Sequence, residues 1–204
     1  MPTFHKTAET FVPGATTLPQ RYFTSPELFA EERERIFARQ WICVGHQSQI
    51  ANPGDYFVQN VIGESLIIVR DRSQNIRGFY NVCRHRGTRI CENSHGQFPE
   101  SIRCQYHAWT YSLEGRLIGA PHMHQMEGFD KAHFPLHAVN LAVWKGFIFV
   151  NLAPTPQPFE QVFAPLLNKF AYWNLPNLQP ARRIEYEVRA NWKLVFENFS
   201  ECYH

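Results

Sequence analysis

Asn81-Val82-Cys83-Arg84-His85-Arg86-Gly87 and Cys104-Gln105-Tyr106-His107-Ala108-Trp109 are the stretches on which the reading of this chain turns, with eighteen residues between His85 and Cys104. Each is a cysteine followed by a histidine, after one residue in the first stretch and two in the second. Thiolate and imidazole together suit borderline metals. Short β-prone runs border both stretches, so two loops can meet over one centre.

The same character extends outward. Upstream, Tyr56–Gln59, Ser65–Arg70 and Arg77–Asn81 are rich in β-branched and aromatic residues, and Pro53-Gly54, Gly63 and Asp71–Asn75 separate them. Downstream, Trp109–Leu113, Gly115 and Arg116–Ile118 predict a hairpin, and Val143–Val150 predicts the last strand of a small antiparallel β domain. Before this domain, residues 1–24 read as irregular. Ser25-Pro26 then predicts a helix, with Ser25 as N-cap and Pro26 at its first position, running on Leu28, Phe29, Ile36 and Phe37 to Trp41. After it, Pro154, Pro156 and Pro158 mark a break. Phe163–Tyr172 then predicts a helix, Arg183–Arg189 a strand and Asn191–His204 a helix. The expected organisation is an N-terminal helical arm over 1–42, a β domain over 43–153, and a linker with the start of a further domain over 154–204.

Composition narrows the function classes. The net charge of +2 over 204 residues gives no reason to expect nucleic acid or an anionic membrane as partner. The longest apolar run, Leu141–Leu152, is broken by Lys145 and Gly146 and is too short to span a bilayer. Met1–Phe11 lacks the apolar core of a secretory signal. Five unevenly spaced cysteines argue for metal binding in a reducing, cytoplasmic setting rather than for disulfides.

Two donor pairs of this kind suit either zinc or a Rieske centre. Zinc knuckles open with two cysteines and close with distant histidines, whereas here each pair runs Cys-then-His. That order and the flanking residues resemble the Rieske family. The resemblance implies a [2Fe-2S] cluster with Cys83 and Cys104 on one iron and His85 and His107 on the other, at a higher potential than an all-cysteine cluster. The family usually has Pro and Gly where this chain has Gln105 and Ala108, and an alanine there predicts an ordinary negative φ. Respiratory members carry a disulfide whose cysteines would fall at Thr88 and Tyr106, so the chain resembles the oxygenase or ferredoxin branch. Cys43 and Cys91 read as small buried residues. His46, His95, His122, His124, His133 and His137 read as ordinary surface or core histidines. Arg84 and Arg86 either steady the cluster's charge or form surface ion pairs.

The C-terminal helix adds a second signal. Glu197, Glu201 and His204 fall on one face of it. With Asn191-Trp192-Lys193, and beside a Rieske motif, this segment resembles the start of the catalytic domain of Rieske non-heme iron oxygenases, the ring-hydroxylating alpha-subunit family. The resemblance implies an α+β chain: an antiparallel all-β Rieske domain, the helical arm, and the truncated start of a helix-grip catalytic domain. It assigns His204 as the first ligand of a mononuclear Fe(II) in a 2-His-1-carboxylate site, and Glu201 as the inter-subunit electron-transfer bridge. It also implies an NAD(P)H-dependent reductase or ferredoxin as electron donor, O2 and a small organic molecule as substrates, and a homotrimer. Glu rather than Asp at 201 resembles members acting on glycine betaine, choline or carnitine more than members acting on aromatic rings. The remaining iron ligands follow beyond residue 204 in this family, so the 204 residues alone are expected to be inactive. The alternatives are a Rieske ferredoxin-like electron carrier, an aromatic-ring dioxygenase alpha subunit and a zinc-stabilised binding domain.

Overall fold

In the computed structural model, residues 13–14 and 16–200 are described. The chain divides into two compact units, one of residues up to Glu32 together with Glu185 onward, the other Arg33–Ile184.

The larger unit is built on one doubly buried strand. In β3 (Glu64–Arg70) successive side chains point to opposite faces. Leu66 and Ile68 enter one apolar core, and Ile67 and Val69 enter another. That is why this run reads as continuously apolar instead of alternating. β3 lies between β2 (Asp55–Val61) and β4 (Ile76–Tyr80), and β2 also pairs with β5 (His95–Gln97), all antiparallel. Leu66 and Ile68 share their core with Ile148 and Val150 of β10 (Phe147–Asn151). β10 pairs with β1 (Ile42–His46) on one side and β9 (Asn140–Trp144) on the other. Ile67 and Val69 share theirs with Ile102 of β6 (Ser101–Arg103), Tyr111 of β7 (Thr110–Ser112) and Leu117 of β8 (Leu117–Gly119), which form the third sheet. Cys83 and Cys104 belong to this second core.

Several expectations change. Val143–Val150 is not one strand but the turn of the β9–β10 hairpin. Lys145 and Gly146 both take positive φ, at 51° and 87°, the two-residue turn whose twist matches antiparallel strands. Phe163–Tyr172 is not a regular helix. The helix there, α3, is only Phe159–Val162, and turns follow it. Phe163 packs on Phe149 and Phe159, and Phe170 on Trp144, so aromatic burial overrides helical periodicity. Residues 183–189 form no strand, because no neighbouring strand among the described residues completes their hydrogen bonds. Cys43 is exposed on β1, while Cys91 is buried as expected.

In the smaller unit, α1 (Arg21–Thr24) leads into α2 (Pro26–Glu32). Ser25 Oγ accepts the Leu28 N–H, as an N-cap should. The expected α-helix to Trp41 ends early. Arg33–Phe37, which already belongs to the larger unit, is a π-turn in which the Ala38 N–H reaches Arg33 O, and within that unit the Arg33 guanidinium is drawn to Ile62 O at 2.7 Å. α4 (Trp192–Ser200) lies where a helix is expected from Asn191, whose side chain accepts the Lys193 N–H. Trp192 Nε1 and Lys193 Nζ both donate to the Glu32 carboxylate.

The β3–β4 turn closes on the fully buried Asp71, which accepts from Asn75 N–H at 2.8 Å and Arg77 Nε at 2.9 Å. Burial alone would raise its carboxyl pKa, but Arg77 and Asn75 outweigh it and hold the pKa below the usual value. A depressed folded pKa contributes stability above the unfolded value of about 3.9, and that contribution disappears as pH falls through the folded value. Asp71→Ala should therefore lose roughly 2–3 kcal/mol in urea unfolding at pH 7. The gap from wild type should shrink as pH drops below about 4; an equal gap at pH 3 and pH 7 would refute the assignment.

Candidate metal centre

The two donor stretches fold into matched loops. The first follows β4, and the second joins β6 to β7. In the first, Cys83 C=O accepts the Gly87 N–H at 3.0 Å and Cys83 N–H donates to Thr88 O at 2.8 Å. In the second, Cys104 C=O accepts the Ala108 N–H at 3.1 Å and Cys104 N–H donates to Trp109 O at 2.9 Å. Each cysteine thus clasps the residues four and five positions ahead, and its histidine stands inside the ring. Closing this ring needs a left-handed residue at the fourth position. Gly87 has φ 71°, and Ala108, where an ordinary φ was expected, has φ 57°. The backbone clasp dictates that conformation, and the methyl group tolerates it at a cost of roughly 1–2 kcal/mol.

The loops bring all four predicted donors together. Cys83 and Cys104 are buried in the core, His85 is half-buried, and His107 is exposed. The two imidazole rings meet edge to face with centroids 4.8 Å apart. The donors therefore come as a buried thiol pair and an outer imidazole pair. A tetrahedral zinc needs four donors about one point, whereas a Rieske cluster needs two thiolates on one iron and two imidazoles on the next. The arrangement fits the second.

Electrostatics agree with a cation-requiring site. Burial first pushes the Cys83 thiol pKa up. The Tyr111 hydroxyl and the His85 N–H pull it down, the Cys104 thiol adds to the rise, and the net direction is upward. Burial, then His107 and Arg86, lower the His85 pKa, which keeps its imidazole neutral and able to ligate. A bound cation reverses the thiol preference, because coordination deprotonates it.

Two supporting residues carried no sequence signal of their own. Tyr111 is fully buried; its oxygen accepts the Arg84 N–H at 3.1 Å and lies 3.3 Å from Cys83 Sγ. Between a thiol and a hydroxyl either group can donate, but a ligating thiolate has no proton, so the Tyr111 hydroxyl is then the donor to the sulfur. Only the alternation along β7, which turns Tyr111 inward, hints at this. Asn81 pins the base of the first loop: Oδ1 accepts the Ile90 and Cys91 N–H groups, and Nδ2 donates to Ser65 Oγ and Cys91 O. Its side-chain amide is fully paired. Arg84 donates to Pro135 O at 2.9 Å, so it braces the loop from outside. His46 is a satisfied core histidine between Ser48 and Leu175 O. His122 and His124 are exposed on a turn. Glu201 and His204 lie outside the described residues.

Comparison with known proteins adds independent observations. Residues 40–140 match the Rieske [2Fe-2S] domain, and residues 175–204 match the ring hydroxylating alpha subunit catalytic domain. A carnitine monooxygenase oxygenase subunit of Acinetobacter baumannii is 39% identical over 193 residues, covering 93% of this chain and 52% of that protein. A glycine betaine monooxygenase oxygenase subunit of Chromohalobacter salexigens is 37% identical, covering 94% and 42%. Among solved structures, a quaternary ammonium Rieske monooxygenase, described for carnitine oxidation and inter-subunit electron transfer, superposes with a TM-score of 0.87 at 36% identity, covering 92% of this chain and 52% of that one. The chain spans about half the length of these relatives.

The strained turn gives a direct test. Ala108→Gly should stabilise the protein by about 1 kcal/mol, because glycine takes positive φ without strain. Gly87→Ala should destabilise it by a similar amount, since nothing lies within 4 Å of the added methyl and only strain is introduced. Guanidinium unfolding midpoints measure both; the same sign of change for the two variants would overturn the matched-loop description.

Proposed function

Residues 40–140 belong to the Rieske [2Fe-2S] domain family and residues 175–204 to the ring-hydroxylating alpha-subunit catalytic domain family, and we propose that this chain is the cluster-bearing part of an iron-dependent monooxygenase acting on a quaternary amine. The observation that carries this reading is the pair of clasped loops, with buried thiols behind outer imidazoles. Cys83, His85, Cys104 and His107 would hold the [2Fe-2S] cluster, in a domain spanning 43–153 between the arm (1–42) and the catalytic start (154–204).

When bound, such a cluster accepts and releases one electron at a time. The chain's own residues prepare that chemistry. Cys83 and Cys104 anchor the inner side within an apolar core, which excludes water. His85 and His107 would form the outer side, and imidazole in place of thiolate would leave the centre less negative than four thiolates would. Exposed His107 offers the edge through which an electron can leave. With Cys83 as a ligating thiolate, the Tyr111 hydroxyl would donate a hydrogen bond to Sγ, and the His85 backbone N–H points at the same sulfur. Both stabilise the extra negative charge of the reduced state.

His204 would be the first ligand of a mononuclear Fe(II) used with O2. Glu201, one helical turn earlier, would bridge that histidine and a cluster histidine of the neighbouring subunit in a homotrimer, fixing tautomer and orientation. The described helix Trp192–Ser200 leads up to these residues, and its start is fixed by Asn191, whose side chain accepts the Lys193 N–H. Electrons would come from an NAD(P)H-dependent reductase. Carnitine- and betaine-acting relatives and Glu at 201 favour a quaternary ammonium substrate over an aromatic ring. The catalytic-domain match at 175–204 favours an oxygenase over a ferredoxin-like carrier.

Metal and sulfide analysis of the purified chain tests the core of this reading. About two irons and two sulfides per chain, with a Rieske EPR signal on reduction, are expected; stoichiometric zinc without iron would refute it. Tyr111→Phe should keep the cluster and lower its reduction potential by on the order of 50 mV, equivalent to about 1 kcal/mol for one electron. An unchanged potential in redox titration would show that the hydroxyl does not act on the sulfur.

A further inference from the structure

Trp109 touches both ligand loops. Its carbonyl closes the second by accepting the Cys104 N–H at 2.9 Å. Its indole lies against the first, stacked on the His85 ring with centroids 4.9 Å apart and planes only 12° from parallel. The indole is itself held in place. It is 3% exposed, and Phe129 and Phe134 pack edge-on to it at 5.9 and 5.8 Å. Those two rings stack on each other at 5.1 Å. His107 meets His85 edge to face, at 75°, so the parallel face of His85 belongs to Trp109.

Coordination through one nitrogen fixes where an imidazole sits, but leaves its plane free to rotate about the metal–nitrogen bond. Ligand histidines usually have that plane fixed by a hydrogen bond from the other ring nitrogen. Among the described residues no such partner reaches the His85 ring. A stacked aromatic does the same work, because offset-parallel contact favours one orientation.

We propose that Trp109 is the positioning residue for His85, setting its ring plane at the outer iron through stacking and tying that setting to the second ligand loop through its carbonyl. This inference rests on reading Cys83, His85, Cys104 and His107 as the cluster ligands. The backbone bond to Cys104 survives any side-chain change, so substitution isolates the stack. The aromatic backing from Phe129 and Phe134 makes the setting rigid. Swinging His85 out of plane would require the whole three-ring wall to move.

The test uses the iron-loaded chain carrying Trp109→Leu, which removes the ring, and Trp109→Phe, which keeps a smaller one. Phe98→Leu, which removes a ring stacked on Tyr56 in the same core, is the control for general loosening. Pulsed EPR couplings of the imidazole nitrogens in the reduced cluster should shift in Trp109→Leu, shift less in Trp109→Phe, and match wild type in Phe98→Leu. Cluster loss, followed by visible absorbance in the presence of a chelator, should be about tenfold faster in Trp109→Leu. If the leucine variant fails to fold, the phenylalanine variant decides, with its smaller shift. Wild-type couplings in a folded, iron-loaded Trp109 variant, or an equal shift in Phe98→Leu, would overturn the proposal. Failure of the wild-type chain to hold iron would instead overturn the ligand assignment beneath it.

Discussion

In each donor loop a cysteine backbone binds forward twice, its carbonyl to the residue four ahead and its N–H to the residue five ahead. These two clasps determine everything functional around them. They bend six residues, Cys83–Thr88 in one loop and Cys104–Trp109 in the other, tightly enough for a thiol and an imidazole to emerge from one short loop. They also require a left-handed residue at the fourth place, which Gly87 supplies freely and Ala108 under strain. A short peptide would not hold such loops, because ordering them costs more conformational entropy than two hydrogen bonds return. They persist because the sheets beneath them are rigid and because Asn81 and Trp109 tie them to those sheets.

Placing the loops over an apolar core has an electrostatic consequence. The Cys83 thiol sits where ionisation is disfavoured, and the imidazole of His85 sits where protonation is disfavoured. The imidazole is thus held in its ligating form, whereas the Cys83 thiol reaches its own on binding metal, which couples metal binding to folding. The Tyr111 hydroxyl beside the Cys83 sulfur softens that penalty. The imidazoles, by contrast, lie nearer the surface, His85 half-buried and His107 exposed. Trp109, backed by its two phenylalanine neighbours, closes the flank of His85.

Much of this was legible in the residues. The Cys-x-His and Cys-x2-His order distinguished the centre from a zinc knuckle, and the turn residues located β2, β3, β4 and the β7–β8 hairpin. Ser25-Pro26 and Asn191 marked helix starts correctly, since caps are satisfied by adjacent residues. The errors share a cause. Val143–Val150 proved to be a hairpin, Phe163–Tyr172 a series of turns, and 183–189 a segment outside any strand, because strand pairing and ring packing from distant positions decided each. Ala108 misled for a related reason: an alanine's preference is local, while the clasp that overrides it is a loop property.

What the sequence determined by itself is the chemistry of the donors and the periodicity of the elements, both carried by residue type and short-range spacing. The tertiary structure alone decided that the four donors divide into a buried thiol pair and an outer imidazole pair, that Tyr111 reaches the Cys83 sulfur, and that Trp109 lies flat on His85. Those contacts join positions from 24 to 28 residues apart. They depend on which face of β7 and of the loop before it turns toward the core, and no local preference encodes that choice; it is settled only when the sheets pack and exclude water between them.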